Sequence, residues 1–259
     1  MTITTNELIM TNTDSPWTHG RPLRNSRGRA VLPVLEDRDD SPTPDASPMA
    51  IAWIEAARHA FASIASFRHT ARSLLALNAP EALIERTVTA SDDERHHTKI
   101  CLDLADRAGT HGARIVKDLT ALTMVHRRPD DLVGAARSAL LDGVVGEGFV
   151  ARRLSLAADH PSDVTTSLRR LADDEQRHAE LGADIVRWCV SVRPWVAEQL
   201  KIELSDVDRT APIPRELAGI DDDDRMRCGL SLDADIGAAW SENLASAHDF
   251  VHTVRFDVG

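Results

Sequence analysis

Residues 91–97 read Ser-Asp-Asp-Glu-Arg-His-His, and residues 172–178 read Ala-Asp-Asp-Glu-Gln-Arg-His. Each stretch contains a Glu-x-x-His motif, Glu94 with His97 in the first and Glu175 with His178 in the second. On an α-helix, residues i and i+3 lie on one face, so each motif directs a carboxylate and an imidazole the same way. One such motif arises easily by chance, but two in matching contexts predict a shared metal site between two facing helices.

Glu147 is expected to supply a third carboxylate at the level of the second motif. In an antiparallel helix pair, residues equally far from the turn face each other, and Pro161 lies midway between Glu147 and Glu175. The residues from His160 to Asp163 are themselves a predicted turn. Three glycines lie close to this carboxylate in the sequence: Gly143, Gly146 and Gly148. Glycine costs about 1 kcal/mol in a helix interior, so we expect a close backbone approach or a local bulge beside the metal site.

The ligand set indicates iron or manganese, because both metals accept mixed nitrogen and oxygen ligation. Two iron ions per chain are expected, with manganese as the possible substitute. Asp93 and Asp174 each precede a motif glutamate and are candidates to hold an imidazole by its second nitrogen. His96 and Glu180 lie off the inward direction and are predicted to be surface residues.

The first helix lacks an obvious ligand. Its apolar stripe recurs at spacings of four and three: Trp53, Ala57, Ala60, Ile64, Phe67, Ala71 and Leu74. A fourth carboxylate opposite Glu94 should lie 30–35 residues earlier in the chain, where the stripe has Ala60. Glu55 is the only nearby acid but would sit a turn or more from the metal, and His59 is about 100° round from Ala60. Three alternatives stay open: Glu55, His59, or a coordination position left to water or substrate, in which case one metal site is weak.

Composition excludes several functional classes. The 259 residues carry a net charge of −11 with scattered basic residues, which argues against a nucleic-acid partner. Three cysteines, an odd and widely spaced set, form neither a disulfide framework nor a zinc site and suit a reducing compartment. Neither a signal peptide nor a membrane-spanning run is evident, so we expect a cytoplasmic protein without a membrane partner.

Helical periodicity divides the chain into three parts. Residues 1–47 are predicted to be an irregular arm in which only residues 30–35 dock on the body. Residues 48–205 are expected to form four helices with breaks at Asn78-Ala79-Pro80 and at Pro161, linked by a longer connection over 109–130. Residues 206–259 form a C-terminal extension that is mostly irregular, with one possible helix at 233–254. No pair of strands is expected, so the predicted fold class is all-α.

The helical part resembles the ferritin-like domain superfamily, in particular bacterial diiron-carboxylate proteins of that type. The similarity covers residues 50–192 and rests on five stretches: Trp53-Ile54-Glu55, the turn at 74–80, Asp93-Glu94-x-x-His97-x-x-x-Cys101, Val145-Gly146-Glu147 and Asp174-Glu175-x-x-His178-Ala179. It implies a four-helix bundle with a long crossover connection and a metal site at Glu94, His97, Glu147, Glu175 and His178. Proteins of this kind usually carry Glu-His-Ala-Ser where this chain has Ala60-Phe61-Ala62-Ser63, so the usual first ligand is absent.

The resemblance implies a fold and a metal site and leaves the substrate open. The leading hypothesis is a non-haem diiron oxidoreductase or oxygenase that uses dioxygen to oxidise a small organic molecule, with a homodimer as one expected assembly. Two alternatives stay open. A degenerate metal-binding scaffold without catalysis would explain the alanine at position 60, and an iron-handling ferroxidase would use the same ligands without an organic substrate.

Overall fold

The computed structural model describes residues 21, 31–33, 35–36, 46–110, 114–115 and 131–254. These residues are almost entirely helical, as the sequence predicts. The helices, in chain order, are α1 (Pro48–Ala76), α2 (Glu81–Arg107), α3 (Leu132–Ser138), a π-helical segment (Ala139–Glu147), α4 (Gly148–Asp159), α5 (Thr165–Val192), α6 (Val196–Ser205), a 3-10 turn (Arg215–Leu217), α7 (Asp222–Arg227) and α8 (Asp233–Thr253). No helix in the described ranges is both long and apolar enough to cross a membrane.

Helices α1 and α2 form a hairpin whose ends follow from local sequence. The Ser47 hydroxyl accepts a hydrogen bond from the Ala50 amide at 3.1 Å and caps α1, whose first residue is Pro48. Asn78 adopts a φ of 55°, a left-handed conformation that asparagine tolerates better than most residues, and so turns the chain. Pro80 then precedes α2. The predicted break at this point is confirmed.

Helix α3, the π-helical segment and α4 run on as one helix, since the residues at both junctions keep right-handed helical angles. Helix α5 returns antiparallel after the turn around Pro161. A methyl group built on Gly143 would lie 3.0 Å from the Cα of Gly182, so the two backbones touch here. The expected bulge and the expected close approach therefore both occur. Helix α5 begins after Val164 without a side-chain cap.

The C-terminal part is more ordered than its sequence suggests. Helix α8 occupies the range where one possible helix was expected and packs against α4 and the π-helical segment. The rings of Phe149 and Trp240 meet edge to face at 5.3 Å, and the Asn243 amide donates to the Val145 carbonyl at 2.8 Å. Residues 233–253 are thus part of the core, which corrects the expectation of a mostly irregular extension.

The N-terminal arm touches the body where predicted. Val31 and Leu32 are buried, and the Pro33 carbonyl accepts a hydrogen bond from Arg58 Nε at 3.0 Å. Two residues farther on, Leu35–Glu36 pairs antiparallel with Arg114–Ile115. This pair is only two residues long, too short to leave an alternating pattern in the sequence. Apart from Arg21 and residues 46–47, the rest of the arm lies outside the described residues, as does most of the 109–130 connection.

Candidate metal centre

The structure brings the five predicted ligands into one buried cluster. Helix α2 contributes Glu94 and His97, helix α5 contributes Glu175 and His178, and Glu147 is the last residue of the π-helical segment. None of the five side chains faces bulk solvent, and the most accessible of these residues, Glu175, is only 8% exposed. The surface positions predicted for His96 and Glu180 are confirmed.

The two motif carboxylates lie between the two imidazoles. Glu94 places one oxygen 3.5 Å from Nδ1 of His97 and the other 3.6 Å from Nδ1 of His178. Glu175 places its two oxygens 3.4 Å from the same two nitrogens. Ligand atoms of Glu94, Glu147, Glu175 and His178 all lie within 4.8 Å of one another, so this group could bind a metal ion.

Several buried atoms that point into the cluster have no hydrogen-bond partner: Nδ1 of His97, Nδ1 of His178, both carboxylate oxygens of Glu147 and Oε2 of Glu175. Leaving polar groups buried and unbonded typically costs about 1–3 kcal/mol each. A cation coordinated by the same atoms would remove this cost. The donors present therefore fit a metal site of mixed nitrogen and oxygen ligands.

An aspartate on the opposite helix orients each imidazole. Nε2 of His97 lies 3.1 Å from Asp174, and Nε2 of His178 lies 3.3 Å from Asp93. A carboxylate at Nε2 keeps the proton there and leaves Nδ1 as the nitrogen that could bind a metal. The Arg177 side chain donates to Asp174 and lies 3.9 Å from Asp93, so one guanidinium braces both aspartates. The predicted placement of these aspartates is confirmed.

Burial and mutual charge shift the pKa values of the cluster residues. Burial and the negative charge of Glu175 raise the pKa of Glu94 and, further, that of Glu147. Burial opposes the ionisation of Glu175 too, but Glu147 and both imidazoles hold its pKa well below the usual range. Burial would lower the pKa of His178, yet Asp93 and the motif carboxylates raise it to about 9. The pKa of His97 is likewise raised against the effect of its burial.

A cavity of about 50 Å³ opens from the cluster toward α1. Its volume exceeds the roughly 10–15 Å³ that one water molecule requires. Ala60 and His59 both line it, together with Glu94 and Glu147. Glu55 is not among the lining residues, and its carboxylate pairs with Arg58 at 2.5 Å. Of the three alternatives for the first helix, His59 and an open position at Ala60 are the two that lie at this cavity.

Some residues near the cluster were not foreseen from the sequence. Phe67 was predicted to be buried, but not to lie edge-on to His178 with ring centres 5.0 Å apart. Arg21 is fully buried, stacks on Phe67 at 4.9 Å and donates to the Ser138 hydroxyl at 3.3 Å. No periodic signal in the first 47 residues marks this single arginine. Arg153, which lines the cavity, is the third residue near the cluster that was not foreseen from the sequence.

Comparisons with protein-family models, with curated proteins and with solved structures find no match to this chain. What the cluster does must therefore be inferred from its own geometry. That geometry is a buried group of carboxylates and imidazoles with the spacing and the unsatisfied atoms of a metal centre.

Proposed function

We propose that the protein is a non-haem diiron oxidoreductase of the ferritin-like type, which uses dioxygen to oxidise a small organic molecule. The observation that carries this proposal is the position of Glu94 and Glu175, each with one oxygen beside each imidazole. A single metal would not need two carboxylates that each reach both imidazoles. Two metals that share both carboxylates would need this arrangement.

Each side chain has a distinct role in this scheme. Glu94 and Glu175 would be shared by the two metals, with His97 on the first and His178 on the second. Glu147 would join His178, with which it is grouped. Asp93 and Asp174 hold the imidazoles in place. When bound, the two irons supply the electrons that activate dioxygen.

A ferritin-like bundle is the proposed architecture. Helices α1 and α2 form one hairpin. The continuous helix made of α3, the π-helical segment and α4 forms the other hairpin with α5. The ligands project inward from three of these four helices, as in the di-metal carboxylate bundles, where two helices carry Glu-x-x-His motifs. The chain between the hairpins, residues 108–131, is the candidate crossover connection.

An organic substrate is favoured by the cavity at Ala60. The alanine leaves space at the metal level where a fourth carboxylate would close the centre. The cavity walls beyond it are largely apolar, formed by Trp53, Ala56, Val150, Leu154 and Leu171. A shielded apolar pocket next to a redox metal suits the oxidation of a small molecule.

The same alanine favours a second candidate function, a bundle that holds one metal tightly and acts as a scaffold. With three carboxylates in place of four, one metal position has fewer anionic ligands. Uncompensated positive charge in a buried site is costly. Metal stoichiometry separates the two candidates.

The test is metal analysis of the purified chain loaded with ferrous iron under argon, followed by dioxygen uptake. The diiron proposal expects about two irons per chain and uptake that increases with a panel of small organic substrates. Uptake with iron alone would indicate a ferroxidase, and one iron without uptake would indicate the scaffold.

His178→Ala and His96→Ala form a matched pair of variants. His178→Ala should lose most of the second iron with circular dichroism unchanged, since alanine favours a helix. His96→Ala removes an exposed imidazole one residue from a ligand and should bind iron normally. Equal iron content in both variants would mean that His178 is not a ligand.

A further inference from the structure

Arg153 on α4 lies between the metal cluster and the protein surface. It lines the cavity that contains Glu94, Glu147 and Glu175, and it is only 9% exposed. It also lines a second cavity, of about 30 Å³, whose far wall comes from residues 216–217 and 229–231. The two cavities share Trp53, Ala56, Arg153 and Leu154, so together they trace a path from the cluster to the C-terminal segment.

The guanidinium of Arg153 is only partly satisfied by its surroundings. Its Nε is buried and has no hydrogen-bond partner. Phe149 lies under the guanidinium at 5.8 Å, a contact that places the cation but bonds none of its N–H groups. The negative charges that act most strongly on the guanidinium are those of Glu216, on the 3-10 turn, and then Glu175 of the cluster. A buried cation with an unmet donor is costly to keep unless an anion joins it.

We propose that Arg153 binds the carboxylate of a small organic acid, which is the substrate of the metal centre. Guanidinium groups bind carboxylates through two parallel hydrogen bonds, and burial strengthens that pairing. The acid would lie with its carboxylate at Arg153 and its carbon chain against the apolar wall between Arg153 and Ala60. This inference rests on the proposed function, because it assigns the substrate of that same site.

The dimensions and lining of the cavity narrow the substrate class. Outside the cluster itself, the cavity lining includes Trp53, Val150 and Leu171, which offer no charged partner. A second charged group on the substrate would therefore meet an apolar wall. A volume of about 50 Å³ admits a few carbon atoms. The fitting class is a short-chain monocarboxylic acid.

Glu216, at the outer end of the path, competes with the substrate carboxylate for Arg153. Its charge acts on Arg153 from the second cavity. An arriving carboxylate competes with Glu216 for the same guanidinium. Neutralising Glu216 should therefore strengthen substrate binding, whereas neutralising Arg153 should weaken it.

Isothermal titration of the metal-free chain with butanoate and, in parallel, with butan-1-ol tests the proposal. Butanoate should bind and the alcohol should not. Arg153→Gln should weaken butanoate binding roughly ten- to hundredfold, the range expected for loss of a charge-assisted hydrogen bond. Arg152→Gln is the matched control, since Arg152 points outward to Glu242 and Ser246 and should leave the affinity unchanged. Glu216→Gln keeps Arg153 and should tighten binding severalfold.

The outcomes separate this proposal from the diiron proposal. Butanoate that binds equally well to the unmodified chain, Arg153→Gln and Glu216→Gln would overturn the role of Arg153. So would the absence of butanoate binding to both the unmodified chain and Glu216→Gln, a variant that does not depend on Arg153→Gln folding. Iron content is measured on separate samples. Normal iron loading without carboxylate binding refutes only the substrate assignment, whereas carboxylate binding without iron refutes only the metal centre.

Discussion

Gly182→Ala should push apart the two helices that carry the proposed ligands. A methyl group at Gly182 would lie 2.7 Å from the Ala139 carbonyl oxygen and 3.0 Å from the Gly143 Cα. Both are backbone atoms, so no flexible side chain can move aside. Helix α5 or the π-helical segment must shift instead. Because α5 carries the second motif and the π-helical segment ends at Glu147, the shift separates these ligands.

The expected magnitude follows from two opposing effects. Overpacking of this kind typically costs about 1–3 kcal/mol, whereas alanine gains about 1 kcal/mol over glycine in a helix interior. A contact at 2.7 Å is closer than side chains tolerate, which places the cost toward the upper end. The net loss should be about 1–2 kcal/mol. In a chain of this size that corresponds to a fall in Tm of roughly 2–8 °C.

Thermal unfolding followed by circular dichroism, with an iron titration on the same samples, measures both consequences. Gly237→Ala on α8 is the control, because a methyl group there meets nothing within 4 Å. It should leave iron affinity unchanged and raise the stability by up to about 1 kcal/mol. If Gly182→Ala melted with or above the unmodified chain and bound iron as tightly, the inferred backbone contact would not exist.

Three further predictions follow from the cluster. Asp174→Asn should lower iron affinity about 10- to 100-fold in a chelator competition, because the amide holds the imidazole of the first motif less strongly. Asp173→Asn, at an exposed neighbour, should have no effect. Equal iron affinities of the two variants would show that Asp174 does not orient the imidazole. Ala60→Glu should raise iron binding toward two tight sites per chain, whereas Ala65→Glu on another face of α1 should not. Two equally tight irons in the unmodified chain would show that no ligand is missing at position 60. The folded pKa of His178 is about 9, above its ordinary 6.5, so its protonation stabilises the metal-free fold fully below pH 6.5 and this contribution is lost as the pH rises through 9. Metal-free melts should show a loss of up to about 3 kcal/mol over that interval, and a Tm that rises would contradict it.

Helix boundaries were predictable because local rules set them. Ser47, Pro48 and the Asn78–Pro80 break act through capping, fixed φ angles and the left-handed conformation of Asn78, none of which depends on distant residues. The packing of α8 on α4 and the π-helical segment was not predictable in this way. It depends on Trp240 and Asn243 meeting side chains and carbonyls almost a hundred residues earlier in the chain.

The residues of the buried cluster were predictable for a related reason. The i and i+3 rule pairs each glutamate with its histidine, and hairpin symmetry about Pro161 identifies Glu147. The same reasoning failed where a residue matters only through remote partners. Arg153 looks like any arginine of an amphipathic helix, and its role depends on Glu216, more than sixty residues later. No sequence pattern marks Gly182, because a glycine is required there by the close backbone of another helix.

Charge links the missing carboxylate at position 60 to the buried arginine. Three carboxylates and two imidazoles form the cluster, and raised pKa values let protons balance the metal-free site. Two divalent cations would displace those protons and carry more positive charge than Glu94, Glu147 and Glu175 neutralise. A fourth carboxylate on α1 would neutralise the remaining positive charge, but Ala60 has no charged group to do so. In the proposed centre an organic acid held by Arg153 brings that negative charge into the cavity, so metal loading and binding of an anionic substrate favour each other.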